Sequence, residues 1–245
     1  MTPHEFQALI EKYIDPYTVM LVITSTRNPA ATDVVTNGTG SLVYTGTKDL
    51  LITNYHVYDA FLSYRQSVPA AVLAMSGVYG SRFLDISAAD VLGLDKDLDL
   101  AVLHIPSQHV WQQGKRLAVI TPWPPRRPEV GMLGILYGYP GEGRAPEGGG
   151  LGVSPISIGL PVVSVSNRHF LICDENQDAH VLIPDGQTPL TNFGGISGSA
   201  VYAIPNKISA NQNAVGLCGF AYEASESGAI FVSHADHINA EGSIH

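Results

Sequence analysis

The stretch NFGGISGSAVY, residues 192–202, sets Ser197 between Gly195 and Gly198, directly before an apolar run. A serine hydroxyl is a poor nucleophile until a base takes its proton, and the base is usually a histidine whose tautomer a carboxylate fixes. Of nine histidines, His56 is the best placed. It ends the strand-like run DLLITNYH (49–56) and begins a short helical pattern, VYDAFL. The carboxylates cluster in DKDLDLAVLHI (95–105). Asp95 and Asp97 read as exposed turn residues, whereas Asp99 abuts the apolar strand LAVLHI and is drawn inward. A buried carboxylate needs a hydrogen-bonded partner, and a histidine N–H would serve. Asp59, three residues beyond His56, is the weaker alternative, and Ser199 is a competing nucleophile. Taken singly, each feature has a bland reading: turns rich in Gly and Ser are common, and a lone histidine is more often solvated or satisfied.

These side chains need rigid elements to carry them. Thr2, Pro3 and Glu5 form a capping box with proline at the first helical position. Phe6, Leu9, Ile10, Tyr13 and Ile14 then fall on one helical face, and Pro16 ends the helix. Beyond it come short β-branched or apolar runs: TVMLVITS (18–25), GSLVYTG (40–46), AAVLAM (70–75) and LAVLHI (100–105). The same texture returns in MLGILYG (132–138), LPVVSVS (160–166), HFLIC (169–173), HVLI (180–183), SAVYAI (199–204), NAVGLCGF (213–220) and AIFVS (229–233). Many short strands with frequent turns predict an all-β barrel or sandwich rather than βαβ units. TPWPPRRPEV (121–130) has four prolines in ten residues and cannot continue a sheet ladder. The simplest division is a helix over 1–16, a first β-lobe over 17–120, a connector over 121–130 and a second β-lobe over 131–245.

Composition removes several function classes. The 245 residues carry a net charge of −9 with only 13 Lys and Arg, so no cationic face is expected for nucleic acid or an anionic membrane surface. No apolar run approaches the ~20 residues of a spanning helix, and no basic stretch followed by an apolar one marks a secretory leader, so a cytoplasmic location is expected. Cys173 and Cys218 lie far apart and read as free, buried thiols. HADH (234–237) invites a metal reading, but no third ligand accompanies it. No metal and no cofactor are expected. GYPGEGRAPEGGGLG (138–152) lacks the G-K-[ST] ending of a phosphate loop and reads as a mobile loop controlling access to the cleft. An α/β-hydrolase elbow is excluded by order, since it needs its acid and histidine downstream of the serine and a glycine where Ser199 stands.

In order, GTGSLV, LLITNYHV, DLDLAVL, GYPGEG, GGISGSAVY and AVGLCGFAY resemble the trypsin-like serine peptidases of the chymotrypsin fold, most closely the bacterial HtrA-type and glutamyl-type varieties. The resemblance covers residues 17 to 238 and implies two six-stranded antiparallel β-barrels with the site between them. It implies His56 as general base, Asp99 as its orienting carboxylate and Ser197 as nucleophile. The oxyanion hole would be the N–H groups of Gly195 and Ser197. A polypeptide is the implied substrate. Digestive members carry an aspartate where this chain has Ile196, so activation by a protein partner is expected rather than zymogen cleavage. The implied specificity pocket is Thr191, Asn192, Cys218, Gly219, Phe220, Ala221 and Gly228, modestly polar and neutral, which predicts cleavage after a small or apolar residue. A glutamyl-selective pocket, a silent binding module and an esterase on the same barrels are the alternatives.

Overall fold

A computed structural model of the chain describes residues 2–26, 33–78, 83–147, 150–174, 180–182, 194–205, 215–225 and 228–245. Helix α1 (Pro3–Tyr13) starts as its sequence dictates: Glu5 N–H donates to Thr2 Oγ1 at 3.2 Å and Thr2 N–H to Glu5 Oε2 at 2.7 Å. Strands β1 (Thr18–Thr24), β2 (Val34–Tyr44), β3 (Asp49–Thr53), β4 (Val72–Met75), β5 (Leu84–Asp85), β6 (Val91–Asp95), β7 (Leu100–His104) and β8 (Ala118–Val119) form the first sheet. Its order is β5-β4-β1-β2-β3-β7-β6, with β8 parallel to the end of β2. Helices α2 (Tyr55–Ser67) and α3 (Ser107–Gln112) interrupt it.

After the proline connector, which holds cis bonds at Thr121-Pro122 and Trp123-Pro124, come β9 (Leu133–Gly138), the hairpin β10 (Arg144–Glu147) and β11 (Gly150–Val153), then β12 (Ile156–Val165), β13 (His169–Ile172), β14 (His180–Leu182), β15 (Ala200–Ile204), β16 (Gly216–Ala224) and β17 (Ile230–His234). Strands β13-β17-β16-β15-β9-β12 pair in a ring that closes from β12 back to β13, with β14 attached outside it on β12. The fold is therefore mostly β, as expected. One lobe is a closed six-stranded barrel. The other is a curled half-barrel whose edge strands β5 and β6 do not pair among the described residues. No helix among the described residues is long and apolar enough to cross a membrane.

Alternation in β2 and β3 sends apolar side chains to two different cores. Val43, Leu50 and Ile52 join Leu100 and Val102 against Ile135, Ala200, Tyr202 and Phe220 of the second sheet, forming a core shared by both lobes. Helix α1 seals this seam with Phe6, Ile10 and Ile14, all fully buried. Just past the helix, the buried Lys115 Nζ reaches Asp15 Oδ1 at 3.0 Å and Asp15 O at 2.9 Å, tying the segment to the first lobe. On the other side of the first sheet, Val57, Tyr58 and Phe61 of α2 pack against Val19, Leu21, Leu51 and Leu103. That packing mounts the first turn of α2 rigidly.

Phe6→Ala should lower unfolding free energy in urea by about 3–5 kcal/mol, the usual cost of emptying a filled core site. Tyr13→Ala, on the half-exposed face of the same helix, should cost less than about 1 kcal/mol.

Candidate active site

The strand reaches only Thr53, and His56 lies in the first turn of α2 rather than at a strand end. Asn54 occupies the N-cap position with extended backbone, but its side chain does not cap the helix. The cap comes from across the sheet. Asp99 Oδ1 accepts the His56 backbone N–H at 2.9 Å, and Oδ2 lies 2.6 Å from His56 Nδ1. An ionised carboxylate only accepts, so Nδ1 carries the proton and Nε2 is left as the basic nitrogen. The imidazole is 52% exposed and the carboxylate 18%, so a substrate can reach the first while the second is screened.

Asp99 ends the turn between β6 and β7 with φ at 51°, the one positive φ outside glycine among the described residues. Asp tolerates this left-handed region better than most side chains. Asn54, fully buried, donates its Nδ2–H to Asp99 O at 2.7 Å and holds the turn from behind. Sequence reading did not single out Asn54. Its adjacency to His56 was visible, but a partner 45 positions away was not.

Ser197 sits in a loop fixed by its carbonyl oxygens. Gly141 N–H donates to Gly194 O at 2.6 Å, Thr39 Oγ1–H to Gly195 O at 2.8 Å, and Ser199 N–H to Ile196 O at 2.9 Å. Thr39 N–H donates to Ser197 O at 2.8 Å and Ser41 Oγ–H to Gly198 O at 2.9 Å. In a planar trans peptide the N–H points opposite to the C=O. Anchoring Gly194 O and Ile196 O therefore turns the N–H groups of Gly195 and Ser197 away from these anchors, and neither has a hydrogen-bond partner among the described residues. The loop needs glycine here. Gly195 and Gly198 have φ of 102° and 92°, and a Cβ on Gly198 would stand 2.0 Å from Thr39 O.

His56, Gly194, Ile196, Ser197, Ala221, Tyr222, Glu223 and Ala224 line one cleft of about 240 Å³. Ser197 Oγ makes a long hydrogen bond to Tyr222 O, at 3.5 Å. The competing Ser199 is fully buried with Oγ unpaired, so it does not reach the cleft. Asp59 takes a hydrogen bond from Tyr55 Oη at 3.4 Å, farther along α2. Ile196 is buried in the second barrel's core.

The expected pocket residues are dispersed. Cys218 lies in the barrel core, Phe220 in the shared core, and Gly219 is crowded by Ser233 O, which a Cβ would approach to 2.2 Å. Of the four, only Ala221 lines the cleft. The physical reason is register. Ala221 N–H donates to Ser199 O and Ala221 O accepts from Gly198 N–H. The chain up to Ala221 is thus held against β15, and Tyr222–Ala224, which sequence reading missed and which border β17 alone, form the wall. Gly228, with φ at 81°, closes the turn between β16 and β17, where its N–H donates to Ser225 O. Thr191 and Asn192 lie outside the described residues. The glycine-rich loop takes the form of the β10–β11 hairpin, and Gly141 at its root is the residue that anchors Gly194.

In HADH, His234 donates Nε2–H to Ser166 O at 2.9 Å, and burial holds its imidazole below the ordinary value. His237 reaches Arg168 O at 3.0 Å and Asp236 pairs with Arg127 at 2.8 Å. Among the described residues no three His, Cys, Asp or Glu side chains gather to hold a metal ion.

No protein-family profile matches this chain, and no curated protein matches it. One solved structure, from a study of the coupled folding and binding of the intrinsically disordered Sesbania mosaic virus VPg protein, aligns over 88% of this chain and 84% of that one. The two are 12% identical with a TM-score of 0.46, a likeness too loose to transfer anything between them.

Asn54→Ala leaves Asp99 O without its donor and should cost about 1–3 kcal/mol in urea unfolding. Burial pushes the Cys218 thiol up to about 12, leaving roughly one thiolate in ten thousand at pH 8. In the native protein at that pH, iodoacetamide should therefore modify the partly exposed Cys173 and spare Cys218 until denaturant is added.

Proposed function

We propose that this protein is a serine endopeptidase that hydrolyses peptide bonds through an acyl-enzyme on Ser197. The observation that carries the reading is the Asp99–His56 pair, joined at 2.6 Å, facing the same cleft as Ser197. In the proposed reaction His56 Nε2 takes the hydroxyl proton as Ser197 Oγ attacks the carbonyl carbon. Asp99 keeps the proton on Nδ1 and stabilises the imidazolium. The N–H groups of Gly195 and Ser197 receive the developing oxyanion, a contribution of about 3–4 kcal/mol per donor in such sites. The imidazolium then gives its proton to the leaving amine. Water, activated by the same imidazole, releases the acyl group and restores the serine.

The reaction needs the Ser197 hydroxyl to turn from Tyr222 O to His56 Nε2. With Ile196 where a charged switch residue would stand, control falls on this rotation and on any protein partner that favours it. The residue on the acyl side of the cut is proposed to be uncharged and small or apolar, in keeping with a cleft of about 240 Å³ whose wall includes Ala221 and Ala224.

A fluorophosphonate probe should label the native chain and Ser199→Ala. Ser197→Ala should not label, and His56→Ala should label at least about 100-fold more slowly, the scale of lost general-base catalysis. Casein should be cut by the native chain alone among these first and third proteins. Hydrolysis of short esters without casein cleavage would point to an esterase, and no labelling with or without cell extract would contradict the proposal.

A further inference from the structure

We propose that Glu223 makes the cleft select polypeptides with a lysine or arginine one or two residues from the bond that is cut. This rests on the peptidase reading and adds a selecting residue to it.

The first observation is how the wall is built. Strand β16 pairs with β15 from Gly216 to Phe220, and beyond Ala221 it overruns its neighbour. On its other side the ladder with β17 shifts register between Ala221 and Glu223, where Val232 faces Ala221 and Phe231 faces Glu223. Such a bulge leaves one residue, Tyr222, unmatched and breaks the strict alternation of side chains. Tyr222 and Glu223 both line the cleft, although they are neighbours in a strand.

The second observation is the charge ledger of the cleft. His56 is matched by Asp99 at 2.6 Å, and the nearby Arg168 stands 3.9 Å from Asp97. Glu223 is exposed and has no ion-pair partner among the described residues. It is the one acidic side chain in the wall itself. The local field is negative at the neighbouring ring: the Tyr222 phenol is held above its ordinary value first by burial, then by the charges of Glu223 and Asp99, against a smaller opposing pull from Arg168.

A carboxylate beside a half-buried aromatic ring suits a long cationic side chain, whose stem lies along the ring while its head meets the charge. The position follows from spacing. Tyr222 O accepts from the Ser197 hydroxyl, and one strand step is about 3.3 Å. A cation on Glu223 thus belongs to a residue flanking the scissile one.

The test is a positional library of fluorogenic tetrapeptides carrying arginine, uncharged citrulline or glutamate at each flanking position. The same peptides, with an N-terminal fluorescein in place of the fluorogenic leaving group, are titrated against Ser197→Ala by fluorescence anisotropy. The native chain should prefer arginine to citrulline about fivefold in kcat/KM at one flanking position, weakening as salt rises, the range expected of a partly exposed ion pair. Glu223→Gln should bring the ratio to about one, and Glu223→Lys should invert it in favour of glutamate. An arginine preference absent from the native chain, or unchanged in Glu223→Gln while Ser197 still labels, would overturn the inference and spare the peptidase reading. Selective binding of arginine peptides that Glu223→Gln abolishes, in a chain that neither labels nor cleaves, would uphold the charge selection and overturn the peptidase reading.

Discussion

Strand β2 holds the loop around Ser197 by the carbonyl oxygens of Gly195, Ser197 and Gly198, and the site's geometry depends on that grip. Asn37, Thr39 and Ser41 are the buried polar residues of this strand. Thr39 alone binds the loop twice, through its N–H to Ser197 O and its hydroxyl to Gly195 O. The same hydroxyl accepts Tyr139 N–H at 3.1 Å, and Asn37 Nδ2–H donates to Tyr139 O at 2.7 Å. Buried polar groups are costly unless bonded. Here Thr39 and Ser41 bond the loop's own carbonyls and Asn37 bonds Tyr139 O, so each polar group is satisfied. Because every peptide is planar, the bond from Gly141 N–H to Gly194 O orients the Gly195 amide and that from Ser199 N–H to Ile196 O orients the Ser197 amide, while β2 holds the carbonyls of Gly195, Ser197 and Gly198 around them.

The grip works across two lobes, so it also sets how they must pack. The dyad is mounted on the first sheet and α2, and the serine on the second barrel. Their separation is governed by the shared core under α1, where Phe6, Ile10 and Ile14 fill the seam. Interiors packed at crystal-like density transmit small displacements rather than absorbing them. In the proposed reaction a shift of about 1 Å between His56 and Ser197 would be enough to cost two orders of magnitude in rate. The N-terminal helix, remote from the cleft, is for that reason part of what sets His56 and Asp99 relative to Ser197. Asn54 plays the corresponding part within the first lobe, holding Asp99 in a backbone region that few residues occupy.

Much of this was legible in the residues. The capping box of α1, most of the strands and the mostly-β class follow from local patterns that the tertiary structure did not override. His56, Asp99 and Ser197 were singled out because each is chemically conspicuous, and the fold brings His56 to Asp99 across 43 positions. What stayed hidden was set by long-range pairing. Thr39 and Ser41 looked like ordinary strand residues, since nothing local shows that their partners lie more than 150 positions away. The wall of the cleft was placed three residues early because the register between β15 and β16, and the bulge at Tyr222, leave no mark on the sequence. The two-residue strands β5 and β8 carry too few side chains to show a period.

The central claim is that a loop pinned by its carbonyls offers two ready amides beside a serine with a histidine base. The most direct measurement is a crystal structure of the protein after reaction with a fluorophosphonate. The account predicts phosphorus bonded to Ser197 Oγ, its oxygen within about 3 Å of the Gly195 and Ser197 nitrogens, and His56 Nε2 facing the leaving-group side. Phosphorus on another residue, or an adduct on Ser197 whose oxygen points away from both amides while Gly141 and Ser199 still hold the Gly194 and Ile196 carbonyls, would contradict it.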